Sequence, residues 1–205
     1  MQNQKTQLAR RLASALLLPG LLSLASCYQL PPMEGRRVNV VTDGGLETAS
    51  PIDIAVAPIL DLSQEGAALP VDELRLAFQN ALLLRRYSPL ALDYIDDAIP
   101  VEASYAPGLV EEDATLLIRV LRWDESQWDP NDAIDLALEV SMIDPTAPVG
   151  AELWKATVDR RFDRGDFGKG VQVPSEPMRV RIACEAIAND VLAAMPARTS
   201  APGRQ

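Results

Sequence analysis

Ile134-Asp135-Leu136-Ala137-Leu138-Glu139-Val140-Ser141-Met142 decides the fold. Its large apolar residues fall at every second position. A strand turns successive side chains to opposite faces, so Ile134, Leu136, Leu138, Val140 and Met142 line one face while Asp135, Ala137, Glu139 and Ser141 line the other. This pattern predicts a sheet with one buried face and one wet face. Such a sheet needs a layer of helices on one side only.

The neighbouring segments extend the sheet in both directions. Upstream, Ala114 to Trp123 carries Leu116, Ile118 and Val120 on one face and Leu117, Leu121 and Trp123 on the other, which predicts a central strand. Downstream, Asp144-Pro145 and Pro148-Val149-Gly150 turn the chain into Ala151 to Phe162, where Trp154, Ala156 and Val158 share a face. These three strands form a meander.

Before the meander, Ile52-Asp53-Ile54-Ala55-Val56-Ala57-Pro58-Ile59 reads as a mostly buried strand closed by proline. The period then changes. Leu74, Ala77, Phe78, Ala81, Leu82 and Arg85 recur every three or four residues within Val71 to Tyr87, the stripe of a helix lying on a sheet. Leu90, Leu92 and Tyr94 alternate with Ala91, Asp93 and Ile95 and predict a further strand after Ser88-Pro89. A loop with Pro100, Pro107 and Gly108 follows it.

After the meander comes the glycine-rich stretch Arg164 to Pro174. Ser175 then caps a last helix with the stripe Val180, Cys184, Ile187, Val191 and Met195. Pro196 ends that helix, and Ala197 to Gln205 is expected to be a disordered tail. The sum is an α/β two-layer sandwich over residues 51–196. It has one mixed sheet of about five strands, two helices on one face, and the order βαββββα.

That order, together with Ile54-Ala55-Val56-Ala57-Pro58, Asp113-Ala114-Thr115-Leu116, Trp123, Leu153-Trp154 and the late alanine-rich helix, resembles a group of small α/β envelope lipoproteins. The group includes the penicillin-binding-protein activator lipoprotein, the curli-secretion lipoprotein and the N-terminal domain of TolB. The resemblance spans residues 52 to 196 and implies a fold. No functional motif of its members has a counterpart here to carry over.

The N-terminus states where the domain works. Lys5, Arg10 and Arg11 precede an apolar run from Leu12 to Leu24, and Ala25-Ser26 supplies a small-residue end, which is the layout of a secretory signal over residues 1–26. The run is shorter than the roughly 20 residues a spanning helix requires, and Pro19-Gly20 interrupts it. Leu24-Ala25-Ser26-Cys27 resembles the lipobox of bacterial lipoproteins. The resemblance implies cleavage before Cys27 and diacylglycerol on its thiol. Several acyl chains hold a protein to a membrane lastingly, each buried methylene adding about 0.8 kcal/mol. In related lipoproteins Asp after the cysteine favours the inner membrane. The residue here is Tyr28, so the expected location is the outer membrane, facing the periplasm.

Residues 27–50 are expected to be a lipidated N-terminus and tether, since Pro31-Pro32, Gly35 and Gly44-Gly45 punctuate a stretch with one short apolar patch at Val38, Val40 and Val41. A flexible chain of this length spans about 25–30 Å. Val38 to Val41 is alternatively an edge strand.

Charge and composition exclude several functions. The chain carries -10, and the signal segment contributes three positive charges and no acid, so the form beginning at Cys27 carries -13. Nucleic acids and anionic headgroups are recognised by Lys and Arg, so neither is an expected partner. Histidine is absent, which removes the commonest general base and metal ligand. Cys184 lies on an apolar helix stripe, where a thiol acts as a small inert hydrophobe.

The remaining candidates are weak. Gly165-Asp166-Phe167-Gly168-Lys169-Gly170 lacks the spacing and the following Ser or Thr of a phosphate loop, and Arg164-Gly165-Asp166 is a chance tripeptide. Asp124, Glu125, Asp129, Asn131 and Asp132 crowd one connection without the calcium-loop spacing. Asp93, Asp96 and Asp97 read as a charged rim. Trp123 and Trp128 flank the acidic connection. An exposed indole there would anchor a protein or a glycan, Trp128 being the better surface candidate.

The expectation is therefore a lipid-anchored, periplasm-facing accessory protein that binds an envelope protein complex and is not an enzyme. No cofactor or metal is expected. The alternative is a module for a small ligand or peptidoglycan, which a deep apolar pocket near Trp128 would favour.

Overall fold

A computed structural model describes residues 38–42, 45–63, 69–100, 104–147, 151–167 and 175–199. The expected signal segment and Cys27 lie outside the described residues. The predicted meander forms from β5 (Ala114–Asp124), β6 (Ile134–Asp144) and β7 (Ala151–Phe162), paired antiparallel along their length. On the far side of β5, β2 (Asp53–Val56) joins in parallel, followed by the two-residue β4 (Ser88–Pro89). β3 (Leu60–Asp61) continues the β2 flank beyond Pro58 and also pairs with β5.

α2 (Val71–Leu84) and α5 (Glu176–Ala193) pack side by side across one face, as the stripes predicted. Leu74, Phe78 and Leu82 of α2 meet Leu116, Ile118, Leu136, Leu138, Val140 and Trp154 of the sheet and Cys184, Ile187 and Val191 of α5. All are buried. At roughly 25 cal/mol per Å² of apolar surface removed from water, this layer is the main stabilising contact of the fold.

The structure corrects four expectations. The strand predicted over Leu90 to Ile95 is instead α3 (Leu92–Ala98), and only Ser88–Pro89 pairs with β2. The helical spacing of Leu92 and Ile95 turns both inward, with Ile95 fully buried, while Tyr94 stands 55% exposed. The element order is therefore richer than βαββββα, and among the described residues the mixed sheet has seven strands.

Trp123 does not share a face with Leu117 and Leu121. A register shift between Val120 and Arg122 moves it to the helix-covered face, opposite Leu136, where it is 1% exposed.

The stretch expected to be a tether holds two ordered elements. β1 (Asn39–Thr42) pairs antiparallel with β7 at Lys155 to Thr157. α1 (Leu46–Ala49) then buries Leu46 in the core. Gly45 packs closely against β7 there, since a Cβ at this position would lie 3.1 Å from the Leu153 Cα.

The expected disordered tail is held at its start. The Arg198 N–H donates to the Arg85 carbonyl (2.9 Å), the Tyr87 hydroxyl donates to the Pro196 carbonyl (3.0 Å), and Arg85 also reaches the Met195 carbonyl. These contacts tie the end of α2 to the chain that follows α5.

Candidate functional site

The second face of the sheet is half covered. Over β2 and the start of β5 lie α3 and the loop 104–112, where Ile95, Val110 and Ala55 form a small separate core. This cover departs from the expectation of helices on one face and a wet second face. Over β5, β6 and β7 the face is open, and oppositely charged side chains bridge the strands. Glu139 accepts from Arg119 (2.5 Å) and Lys155 (3.0 Å), Arg161 meets Asp135 (2.6 Å), and Arg122 meets Asp159 (2.6 Å).

Glu112 fastens the covering loop. Its carboxylate is 3% exposed and accepts four hydrogen bonds: from the Tyr105 hydroxyl (2.5 Å), Gly108 N–H (2.7 Å), Thr115 hydroxyl (2.6 Å) and Val110 N–H (3.2 Å). Burial pushes its pKa up, and the bonds from Thr115, Tyr105 and Gly108 outweigh that and hold it below the ordinary value. Tyr105 shifts the other way, raised by burial and by donating to Glu112. Glycine suits position 108 because its φ is +88°.

Where the covered half meets the open half, a groove of about 450 Å³ runs between the loop and β5. It is lined by Leu117 and Arg119 of β5, by Ile99 and Tyr105, and by Ala57 to Leu60. A second cleft, of about 700 Å³, lies at the other end of the same loop, lined by Glu111, Asp113 and Asp144. Two of its acids have structural partners. Asp113 accepts the N–H groups of Ile52 and Asp53 (2.8 and 3.1 Å), and Asp144 accepts the Thr146 N–H (2.8 Å).

Arg75 ties the two faces together at the flank of the sheet. Its guanidinium, 8% exposed, donates from Nε and Nη2 to the Val56 carbonyl (3.0 and 2.9 Å) and from Nη1 to Asp96 of α3 (2.6 Å). The planar fork of arginine satisfies both partners at once. Asp96 is thus a structural ion-pair partner, and Asp93 and Asp97 are exposed on α3.

Of the two tryptophans at the acidic connection, Trp128, the better surface candidate, is buried, and so is Trp123. Trp123 donates its indole N–H to Glu125 (2.5 Å). Trp128 is 7% exposed, on the one-turn helix α4 (Trp128–Asn131), which folds it back against the start of α5. The Arg179 guanidinium lies 4.7 Å from its ring centroid and Phe167 packs edge-on at 5.9 Å. This contact is what the indole is used for.

Nor does the acidic connection converge. Asp132 pairs with Arg179 (2.8 Å), Asp124 accepts from the Ser126 N–H (2.8 Å), and Asn131 donates to Gln127 (2.6 Å). Among the described residues no group of three or more acid or thiol side chains is placed to hold a metal. Burial pushes the Cys184 thiol up to about 12, which keeps it protonated.

Sequence reading passed over Glu112, Tyr105, Arg75 and Ile99. Only Leu117 was signalled, by its place on the second apolar face of β5. The others come together from three separated segments and share no spacing that a motif would show.

No family model matches the chain, and no curated protein matches it. Among solved structures it is similar to a PelC dodecamer from Paraburkholderia phytofirmans, at 16% identity over 78% of this chain and 98% of that chain, with a TM-score of 0.47. It is also similar to lipoprotein GNA1162 from Neisseria meningitidis, at 16% identity over 68% of this chain and 98% of that chain, with a TM-score of 0.43. A DUF4136 family protein from Bacteroides thetaiotaomicron is 11% identical over 76% of this chain and 93% of that chain, with a TM-score of 0.40. Among the described residues no helix is long and apolar enough to cross a membrane.

Proposed function

We propose that this chain is a lipid-anchored envelope lipoprotein whose domain acts without catalysis, as an accessory subunit gripping a protein partner at the periplasmic face of the outer membrane. The observation that carries the reading is Leu24-Ala25-Ser26-Cys27 at the end of a signal-like segment. Tyr28 after the cysteine supports the outer membrane, and the resemblance to small α/β envelope lipoproteins supports the accessory role. The half-open sheet face offers the grip, since it places apolar and charged groups in reach of a partner on a rigid element.

A module for a small ligand is the second reading, and the groove beside Leu117 favours it. Neither cleft described above is lined by Trp128, so the indole no longer supports it.

The anchor is tested by Cys27→Ser. In cells fed an alkyne-bearing fatty acid, the wild type is expected to take up label and sediment with envelopes. The variant is expected to take up none and to keep its signal segment. A processed, membrane-bound Cys27→Ser protein would sink the lipid reading. The grip is tested by crosslinking in intact cells followed by detergent extraction, where a reproducibly solitary wild-type protein would overturn it.

A further inference from the structure

Of the twelve arginines and lysines among the described residues, nine pair with a carboxylate. The three that do not are Arg85, Arg86 and Arg198, and they stand together. α2 and α5 end side by side there. The Arg85 carbonyl accepts from the Arg198 N–H, and the Arg85 guanidinium donates to the Met195 carbonyl. Arg86 follows at once, exposed, with the left-handed φ of +67° that stops the helix. Burial raises the Tyr87 pKa and Arg85 and Arg198 both oppose the rise, so the two guanidinium charges reach one hydroxyl. Glu47 is the acid that acts on the same hydroxyl.

Leu83 and Leu84 precede these arginines. They stand 56% and 73% exposed, outside the buried stripe of α2. A single exposed leucine needs no explanation. A pair beside three cations that lack acidic partners, in a chain carrying -10, does.

Apolar side chains next to cations suit a surface that is anionic outside and apolar beneath, the interface of a bilayer containing acidic lipids. An acidic protein helix offers related chemistry, and the length of the tether favours the bilayer. Only residues 27–37 lie between the expected lipid and the described chain, at most about 40 Å when extended. The overall charge argues against an anionic surface, but it acts weakly beyond about 8–10 Å, and the local charge has the opposite sign. The acids of the second cleft, Glu111, Asp113 and Asp144, belong to the loop side of the sheet.

We infer that the end of α2, with Leu83, Leu84, Arg85, Arg86 and Arg198, rests on the anionic surface of the membrane that holds Cys27. The two leucines enter the headgroup boundary and the guanidinium groups meet lipid phosphates. α2 and the open strands lie on opposite faces of the sheet, so this seating turns the open face toward the periplasm. The inference rests on the lipid-anchor reading and adds which way the domain faces.

The test uses the acylated mature protein in vesicles of phosphatidylcholine and phosphatidylglycerol in equal parts, with doxyl-labelled lipid as quencher and an environment-sensitive dye on Leu84→Cys. Cys184 is buried and does not compete for the dye. Quenching of about twofold or more is expected. Little is expected in phosphatidylcholine alone, or from the same dye on Leu121→Cys. Replacing Arg85, Arg86 and Arg198 by Gln should lower the ratio of seated to free domains roughly fivefold for each charge removed. Arg86→Glu, at an exposed side chain with no hydrogen bond among the described residues, serves if the triple variant does not fold.

Vesicles that float without the protein overturn the anchor reading and this inference together. A floating protein whose dye at residue 84 stays unquenched, or is quenched equally once the arginines are replaced, overturns this inference alone. So does a photo-crosslinker at residue 84 that captures a protein and no lipid in intact envelopes, which would assign the patch to an acidic protein partner.

Discussion

The two faces of the sheet are held by different physics. On the helix side, Leu74, Phe78, Leu116, Leu138, Trp154 and Ile187 interlock with almost no polar atoms between them. On the other side, one buried carboxylate fastens a loop, and ion pairs cross the remaining strands. A face built from burial resists local change and fails as a unit. One built from a few polar contacts opens piecemeal, and binding surfaces are drawn from such regions.

The sharpest way to break this comparison is to remove one leucine from each face of the same strand. Leu116, fully buried under the helices, is expected to cost about 3–5 kcal/mol when changed to Ala, because transfer and cavity terms add. Leu121, 48% exposed on the other face, is expected to cost less than about 0.5 kcal/mol. Urea denaturation reads both from the shift in midpoint at constant slope. Equal losses would mean that the two faces share one core.

The helix-side face was legible because periodicity reports burial. The stripe on α2 and the alternation of β6 each name their partners by facing them. The other face was only half legible. Leu117 and Leu121 marked β5 as a central strand, yet the second face was expected to be wet, and its cover was read as a further strand. Leu90, Leu92 and Tyr94 fit a period of two as well as Leu92 and Ile95 fit a period of three, and over so few residues tertiary packing decides. A bulge then moved Trp123 between faces, and a one-residue slip leaves no mark on composition. Glu112 could not be singled out, since its importance lies in four donors that converge on it only after folding.

Glu112 gives the next test. As a carboxylate it is acceptor-only and meets four donors. In Glu112→Gln, one oxygen becomes an NH₂ group that faces a donor, Val110 N–H being the least costly. The expected loss is about 1–3 kcal/mol, confined to the covering loop. Hydrogen exchange should rise over residues 104–112 while α2 and α5 keep their protection. The pH dependence has a definite sign. A folded pKa below the ordinary 4.5 gives stability that is complete above that value and lost as pH falls through the folded pKa. The gap between wild type and Glu112→Gln should therefore be constant above about pH 5 and shrink in acid. A gap that widened in acid would reverse the assignment.

The smallest effect is expected on the open strands. Glu139 is held below its ordinary pKa chiefly by Lys155, and Lys155 is raised chiefly by Glu139. The carboxylate's contribution is therefore lost in acid and the amine's in strong base. Both side chains are about one-fifth exposed and Arg119 is 36% exposed, so water and salt screen the row. Glu139→Gln should cost about 0–1 kcal/mol, and most of that should vanish in about 0.5 M salt. The ordering is the point of the measurement. If Glu139→Gln costs more than Glu112→Gln, the ion-pair row and not the buried carboxylate holds this side of the sheet. The groove beside Leu117 would then owe its shape to β6 and β7 and not to the covering loop.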